Sequence, residues 1–199
     1  MSTNLFDELR ADQETLHRLH RRLERDAAAD DLLDVAYRTV DSPVGTLLLA
    51  GTTAGLIRVA YDVEDHDAVL TKLAAAVSPR VLCAPARLDA PARQLEEYFD
   101  KRRTDFDVPV DLRLANGFRR SVIDALRDIG YGRRKSYAEV AAAVGSPRAV
   151  RAVGTACAHN PLPVVIPCHR VVRSDGSTGH YVGGSAAKTT LLALEAGRE

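Results

Sequence analysis

The chain has 199 residues, 46% of them hydrophobic, enough to bury a core in one large domain or two small ones without cross-links. Its three cysteines, Cys83, Cys157 and Cys168, show no CxxC pair; this argues against a disulfide framework or a zinc knuckle and fits a reducing compartment. The net charge is zero, yet residues 1–114 hold 15 Lys and Arg against 21 Asp and Glu, while residues 115–199 hold 12 against 6. A polyanion is therefore expected to meet only the C-terminal part.

The opening MSTNLFDELR lacks the basic and apolar regions of a secretory signal, and no run approaches the ~18 apolar residues of a membrane span. A cytoplasmic protein with no membrane partner is the expectation. Residues 5–33 read as an amphipathic helix, with Leu5, Leu9, Leu16, Leu19 and Leu23 at helical spacings. Such an appendage packs on its own protein or offers a face for self-association or a protein partner. From Val35 the pattern becomes short β-rich pieces, VAYRTV, TLLLA and LIRVAYD, parted by the turn signals DSPVG and GTTAG, which predicts an antiparallel meander. Helices are predicted over 65–77 and 91–103, the second opening at Pro91. TDFDVPVDL, broken by Pro109, is the candidate linker, dividing the chain into 1–33, 34–114 and 115–199.

After Asn116 four helices are predicted, at 118–129, 136–143, 147–159 and 186–196. Ser146 suits an N-cap and Pro147 a first helical position. Two short helices joined at Gly145 outline a helix-turn-helix.

The stretch VVIPCHRVV, residues 164–172, carries the candidate chemistry. A free thiol near its reference pKa of ~8.5 is mostly protonated at neutral pH, so a nucleophile needs a base or a favourable field. His169 and Arg170 offer both. Adjacent residues on extended chain point to different sides, so a water-bridged proton path between Cys168 and His169 is expected. The competing reading is an inert core cysteine. A metal held by Cys157, His159, Cys168, His169 and His180 is disfavoured, because the spacings match no paired-ligand pattern. No cofactor motif is present.

The stretch RAVGTACAHNPLPVVIPCHRVVRSDGSTGHYVGGSAAKTTLLALE, with FRRSVIDALRDIGYGRRKSYAEVAAAVGSP before it, resembles the O6-alkylguanine-DNA alkyltransferases. The resemblance covers residues 116–196 strongly and 35–114 more loosely. It implies an α/β (α+β) protein, with a ribonuclease-H-like N-terminal domain of small antiparallel sheet and helices, and a C-terminal helical domain like a winged helix-turn-helix. It also implies single-turnover transfer of an alkyl group from O6-alkylguanine in double-stranded DNA, with O4-alkylthymine as a second candidate lesion, to a cysteine, without a cofactor. By the same resemblance, Cys168 is the acceptor, His169 the base and Glu195 the carboxylate that orients it, a relay of nucleophile, base and orienter. Asn160 holds thiol and water in register, and Tyr137 bonds to guanine N3. Arg151 enters the duplex in place of the extruded base, with Val150 beside it and Arg170 on the DNA side. Tyr181, Gly183 and Gly184 close over the guanine, with Lys188 alongside.

Several positions depart from that pattern. Arg119 and Ile123 stand where glutamine and tryptophan are usual, and Val150 replaces an alanine, adding bulk where a helix enters a shallow minor groove. His180 and Val182 flank Tyr181 where small residues are usual, and Cys157 replaces a longer apolar side chain. Competing functions are a binder of alkylated DNA that accepts nothing, a thiol sensor or regulator, and a cysteine hydrolase. The retained Cys168 favours transfer over the first, and no oxyanion site supports the last.

Overall fold

The computed structural model describes residues 13–197. Helix α1 (Gln13–Ala29) covers the later part of the predicted N-terminal helix; residues 5–12 of that prediction lie outside the described residues. α1 docks on the body through His20, which donates to the Cys83 carbonyl at 2.6 Å, and through Ala27 against the core. Leu16, Leu19 and Leu23 point outward and are each about half exposed.

The three predicted β pieces form β1 (Val35–Val40), β2 (Leu47–Thr52) and β3 (Gly55–Tyr61), paired antiparallel in sequence. Helix α2 (His66–Ala76) follows, capped by the Asp65 carboxylate, which accepts from the Asp67 and Ala68 amides. The meander is not the whole sheet. β4 (Val81–Cys83) runs parallel to β1, giving the order β3-β2-β1-β4. Three residues without alternation carry too little pattern to announce a strand.

Helix α3 (Asp89–Phe99) starts two residues before Pro91, which sits within its first turn. The expected linker is not loose chain. Leu56 donates to the Pro109 carbonyl at 2.8 Å and its own carbonyl accepts from Asp111 at 2.8 Å, a short parallel bridge along the edge of β3. Gly55 permits this approach: at φ +136° it has no Cβ, and one would run into the Pro109 backbone.

The C-terminal part contains α4 (Gly117–Arg127), α5 (Tyr137–Ala143), α6 (Val150–Ala158) and α7 (Gly184–Ala196). β5 (Lys135–Ser136) and β6 (Val171–Val172) pair in parallel. The Ser136 and Glu139 side chains form a capping box at the start of α5. The predicted Ser146–Pro147 opening of α6 is corrected: these residues lie in the turn after Gly145, where the Ser146 carbonyl accepts from Ala149, and α6 begins at Val150. One apolar cluster joins both parts, running from Leu47 and Leu95 through Ile123 and Val153 to Cys168 and Leu191. β3 also reaches across directly, since Val59 donates to the Pro161 carbonyl at 2.9 Å and Arg58 to the carbonyls of Asn160 and Pro161.

Candidate active site

Cys168 opens a single turn of 3₁₀ helix, Cys168–Arg170, where an extended run was expected. Successive side chains on such a turn diverge by roughly 120°, so cysteine and histidine still face different ways. Cys168 is 1% exposed. Burial pushes its pKa up to about 11, against the opposing pull of Asn160, Lys188 and Tyr181. The fully buried Asn160 is divided three ways: its Nδ2 donates to the Ile166 carbonyl at 2.8 Å and to Cys168 Sγ at 3.1 Å, and its Oδ1 accepts from Leu162 N at 3.0 Å. Only a side-chain amide, at once donor and acceptor, can hold both ends of this turn. Within the turn Val164 adopts φ +71°, a strained conformation for a β-branched residue, of the kind that surrounding contacts must enforce.

Lys188 and Glu195 stand seven residues apart on α7, hence on one face, and both are buried. Glu195 Oε1 accepts from His169 Nε2 at 2.9 Å, from Arg170 Nη2 at 2.9 Å and from the Tyr98 hydroxyl at 2.7 Å. Its Oε2 accepts from Arg170 Nε at 3.0 Å and from the Gly132 amide at 3.2 Å. Burial alone would raise the carboxyl, but the bonds from His169 and Arg170 hold its pKa down to about 2. An ionised carboxylate only accepts, so His169 Nε2 carries the hydrogen and Nδ1 is left with its lone pair. That Nδ1 is buried and has no hydrogen-bond partner among the described residues. Burial lowers the His169 pKa while Glu195 works against it, so the resting imidazole is neutral and able to take a proton.

A groove of about 510 Å³ lies outside this relay, between α6 and the segment leading to α7; Tyr137, Val150, Arg151, His159, Arg173 and Gly179 are among its walls. Arg151, Thr155 and His159 form one exposed stripe along α6. The Tyr137 ring is half-buried against Gly179, and burial raises its hydroxyl to about 12, so it is a donor at neutral pH. Cys168 does not line the groove. The buried sulfur is thus closed off from the groove.

Residues 35–112 match the family model for the ribonuclease-like domain of 6-O-methylguanine DNA methyltransferase, and residues 117–197 match the model for its DNA-binding domain. The chain belongs to the 6-O-methylguanine DNA methyltransferase family. A methylated-DNA–protein-cysteine methyltransferase of Mycolicibacterium paratuberculosis is 41% identical over 81% of this chain and 92% of its own length. The crystal structure of the Mycobacterium tuberculosis O6-methylguanine methyltransferase superposes with a TM-score of 0.73 at 38% identity, covering 83% of this chain and 94% of that one. A second M. tuberculosis structure, of the OGT protein in complex with DNA, gives 0.70 at 37% identity, covering 80% and 92%.

In this member of the methyltransferase family, one expected site residue, Arg170, sits away from its expected place. Arg170 is corrected from the DNA side to the interior: it is 5% exposed, bonded to Glu195 and to the Ile129 carbonyl, and stacked over Tyr131. A buried carboxylate needs that countercharge. Gly183 makes room for the chain's own Tyr61 ring, whose atoms would lie 2.7 Å from an added Cβ. Tyr181 is buried, bonded to the Tyr61 hydroxyl at 2.9 Å and set edge-on to His169. Lys188 is fully buried, donates to the Val171 carbonyl at 2.6 Å and lies 5.8 Å over the Tyr137 ring. Gly184, at φ +84°, begins α7 at the surface. Tyr61, Tyr98 and Gly132 were not foreseen. The first two come from the N-terminal sheet and α3, with nothing in their local pattern beyond a core tyrosine. Among the described residues, no group of three or more His, Cys, Asp or Glu is placed to hold a metal ion.

Proposed function

We propose that this chain repairs O6-alkylguanine in duplex DNA by moving the alkyl group to Cys168, once per molecule. The observation that carries the reading is the state of His169, with Nε2 bonded to an ionised Glu195 and Nδ1 left as an unbonded buried base. A thiol whose pKa is about 11 supplies little anion at neutral pH. Its proton must leave as the base approaches, directly or through water, to the His169 ring, where Glu195 stabilises the imidazolium. The sulfur then bonds to the alkyl carbon as the carbon–O6 bond breaks, and its electron pair returns to the guanine. Tyr137 donates to N3 of the departing base, and the proton lost by sulfur ends on the guanine. The product is a thioether with no good leaving group, so the protein is consumed.

Asn160 is the positioning residue for the sulfur, supported by its 3.1 Å contact. Arg151 takes the space of the extruded base, supported by its exposure at the start of α6, and Val150 sits beside it, 37% exposed. A damaged base pair is cheaper to open, which favours lesions. Tyr181 and the segment through Gly183 and Gly184 cover the sulfur at rest and shift to admit the base, with Lys188 beneath.

Residues 34–114 and 115–199 act as the two working units in this reading, supported by the separate stretches that the two family models match. Residues 1–33 are an appendage whose outward leucines suit a protein partner or a second copy. A cytoplasmic setting is supported by the free thiols.

The test is a duplex carrying one O6-methylguanine, followed by peptide mass mapping. The peptide holding Cys168 gains one methylene mass, and Cys168→Ala gains none. An unmodified Cys168 peptide beside an intact lesion rejects the reading.

A further inference from the structure

Next to the α6 groove lies a second cleft of about 310 Å³, where α2 of the N-terminal part faces α4 and the C-terminal end of α6. Its floor is apolar, from Leu73 and Pro161, and its rim is cationic, from Lys72 and Arg119. Arg58 at its base is already spent on Glu64. Lys72 and Arg119 have no ion-pair partner among the described residues, whereas the neighbouring Arg120 is paired with Asp124. Ala158 and His159 line both the cleft and the groove, so the two lie side by side at the end of α6. Lys72 belongs to the N-terminal part, which is acidic as a whole, and Arg119 to the basic C-terminal part, so the cationic rim spans both parts.

We propose that the DNA strand leaving the α6 groove passes His159 and sets its backbone phosphates against Arg119 and then Lys72, so that the N-terminal part contributes to DNA binding through Lys72. This rests on the repair reading above, which supplies the DNA in the groove. Phosphate contacts of this kind position the duplex without reading sequence. A cation that neutralises a phosphate releases condensed counterions, which makes its contribution visible in the salt dependence of binding.

The experiment uses the full chain and a labelled, unmodified duplex long enough to span groove and cleft. Dissociation constants are measured over a salt series for the parent, for Lys72→Gln, for Lys72→Gln/Arg119→Gln and, as a control, for Arg120→Gln. Each phosphate contact contributes roughly 0.9 to the slope of log affinity against log salt, so the double variant loses about 2 in slope. At low salt it binds on the order of tenfold more weakly or worse, while Arg120→Gln follows the parent. Thermal unfolding of the double variant matching the parent shows that the fold is kept. A Lys72→Gln variant with the parent's slope and affinity overturns the proposal, whether or not the cleft binds another anion. Methyl transfer by the parent on the lesion duplex is read separately. Transfer with an unchanged slope leaves the repair reading standing and removes the cleft from DNA binding; a changed slope without transfer does the reverse.

Discussion

The Tyr98 hydroxyl, from α3, donates at 2.7 Å to the same Glu195 oxygen that faces His169 Nε2 at 2.9 Å. Burial, and then the neighbouring Glu195 charge, push the Tyr98 pKa far up, so this hydroxyl keeps its proton and serves purely as a donor. It adds a further donor to that oxygen, beside His169 and Arg170, and so helps hold the carboxylate against the imidazole. Tyr98→Phe removes one hydrogen bond to a charged group, a loss of about 1.5–3 kcal/mol. The expected result is a lower urea midpoint and methyl transfer slowed several-fold under single-turnover conditions. A variant indistinguishable from the parent in both measurements removes Tyr98 from the relay.

The PCHR motif and the distant glutamate were legible because both lie in the contiguous C-terminal stretch whose resemblance names their roles. Tyr98 was not, since it is 97 residues from Glu195 and its helix shows only an amphipathic pattern in which a tyrosine reads as core. Arg170 misled for a related reason. Expected on the DNA side, it is bonded to Glu195 instead, and only the folded arrangement shows that this carboxylate must have its countercharge. The helices and the first three strands followed from periodicity. β4 and the strap at Pro109 did not, because each is held by bonds to a distant strand and carries little pattern of its own.

Acid should weaken this protein through Glu195. Its carboxyl is held at about 2, below the ordinary 4.5, so the folded state binds its proton later than the unfolded chain does. The stabilisation is fully present above pH 4.5 and is lost as pH falls through about 2. The shift corresponds to something on the order of 3 kcal/mol. Glu195→Gln strands Arg170 and is less stable than the parent near neutrality, but it lacks this acid loss. The gap in unfolding free energy between parent and variant therefore narrows as pH drops from 6 to 3, while the other low-pKa carboxylates, such as Asp111 and Glu97, cancel between the two proteins. A gap that stays constant over that range would falsify the assignment.

Gly183 and Tyr61 form a matched pair across the two parts of the chain. The backbone at Gly183 is ordinary, with φ −82°, so alanine there meets no conformational strain; the obstacle is the Tyr61 ring at 2.7 Å. That ring cannot retreat. It is 2% exposed, edge-on to Tyr181 at 5.7 Å and tied to the Tyr181 hydroxyl at 2.9 Å. Gly183→Ala is therefore expected to cost about 1–3 kcal/mol as overpacking. Tyr61→Leu carries its own penalty, from the lost ring and hydroxyl, but it opens the space that the added methyl needs. In the double variant the cost of Gly183→Ala falls toward what remains from alanine's poorer fit at a helix N-cap, roughly 0.5–1 kcal/mol. Urea unfolding of the four proteins measures this coupling, and penalties that simply add would show that Gly183 is needed for some reason other than Tyr61.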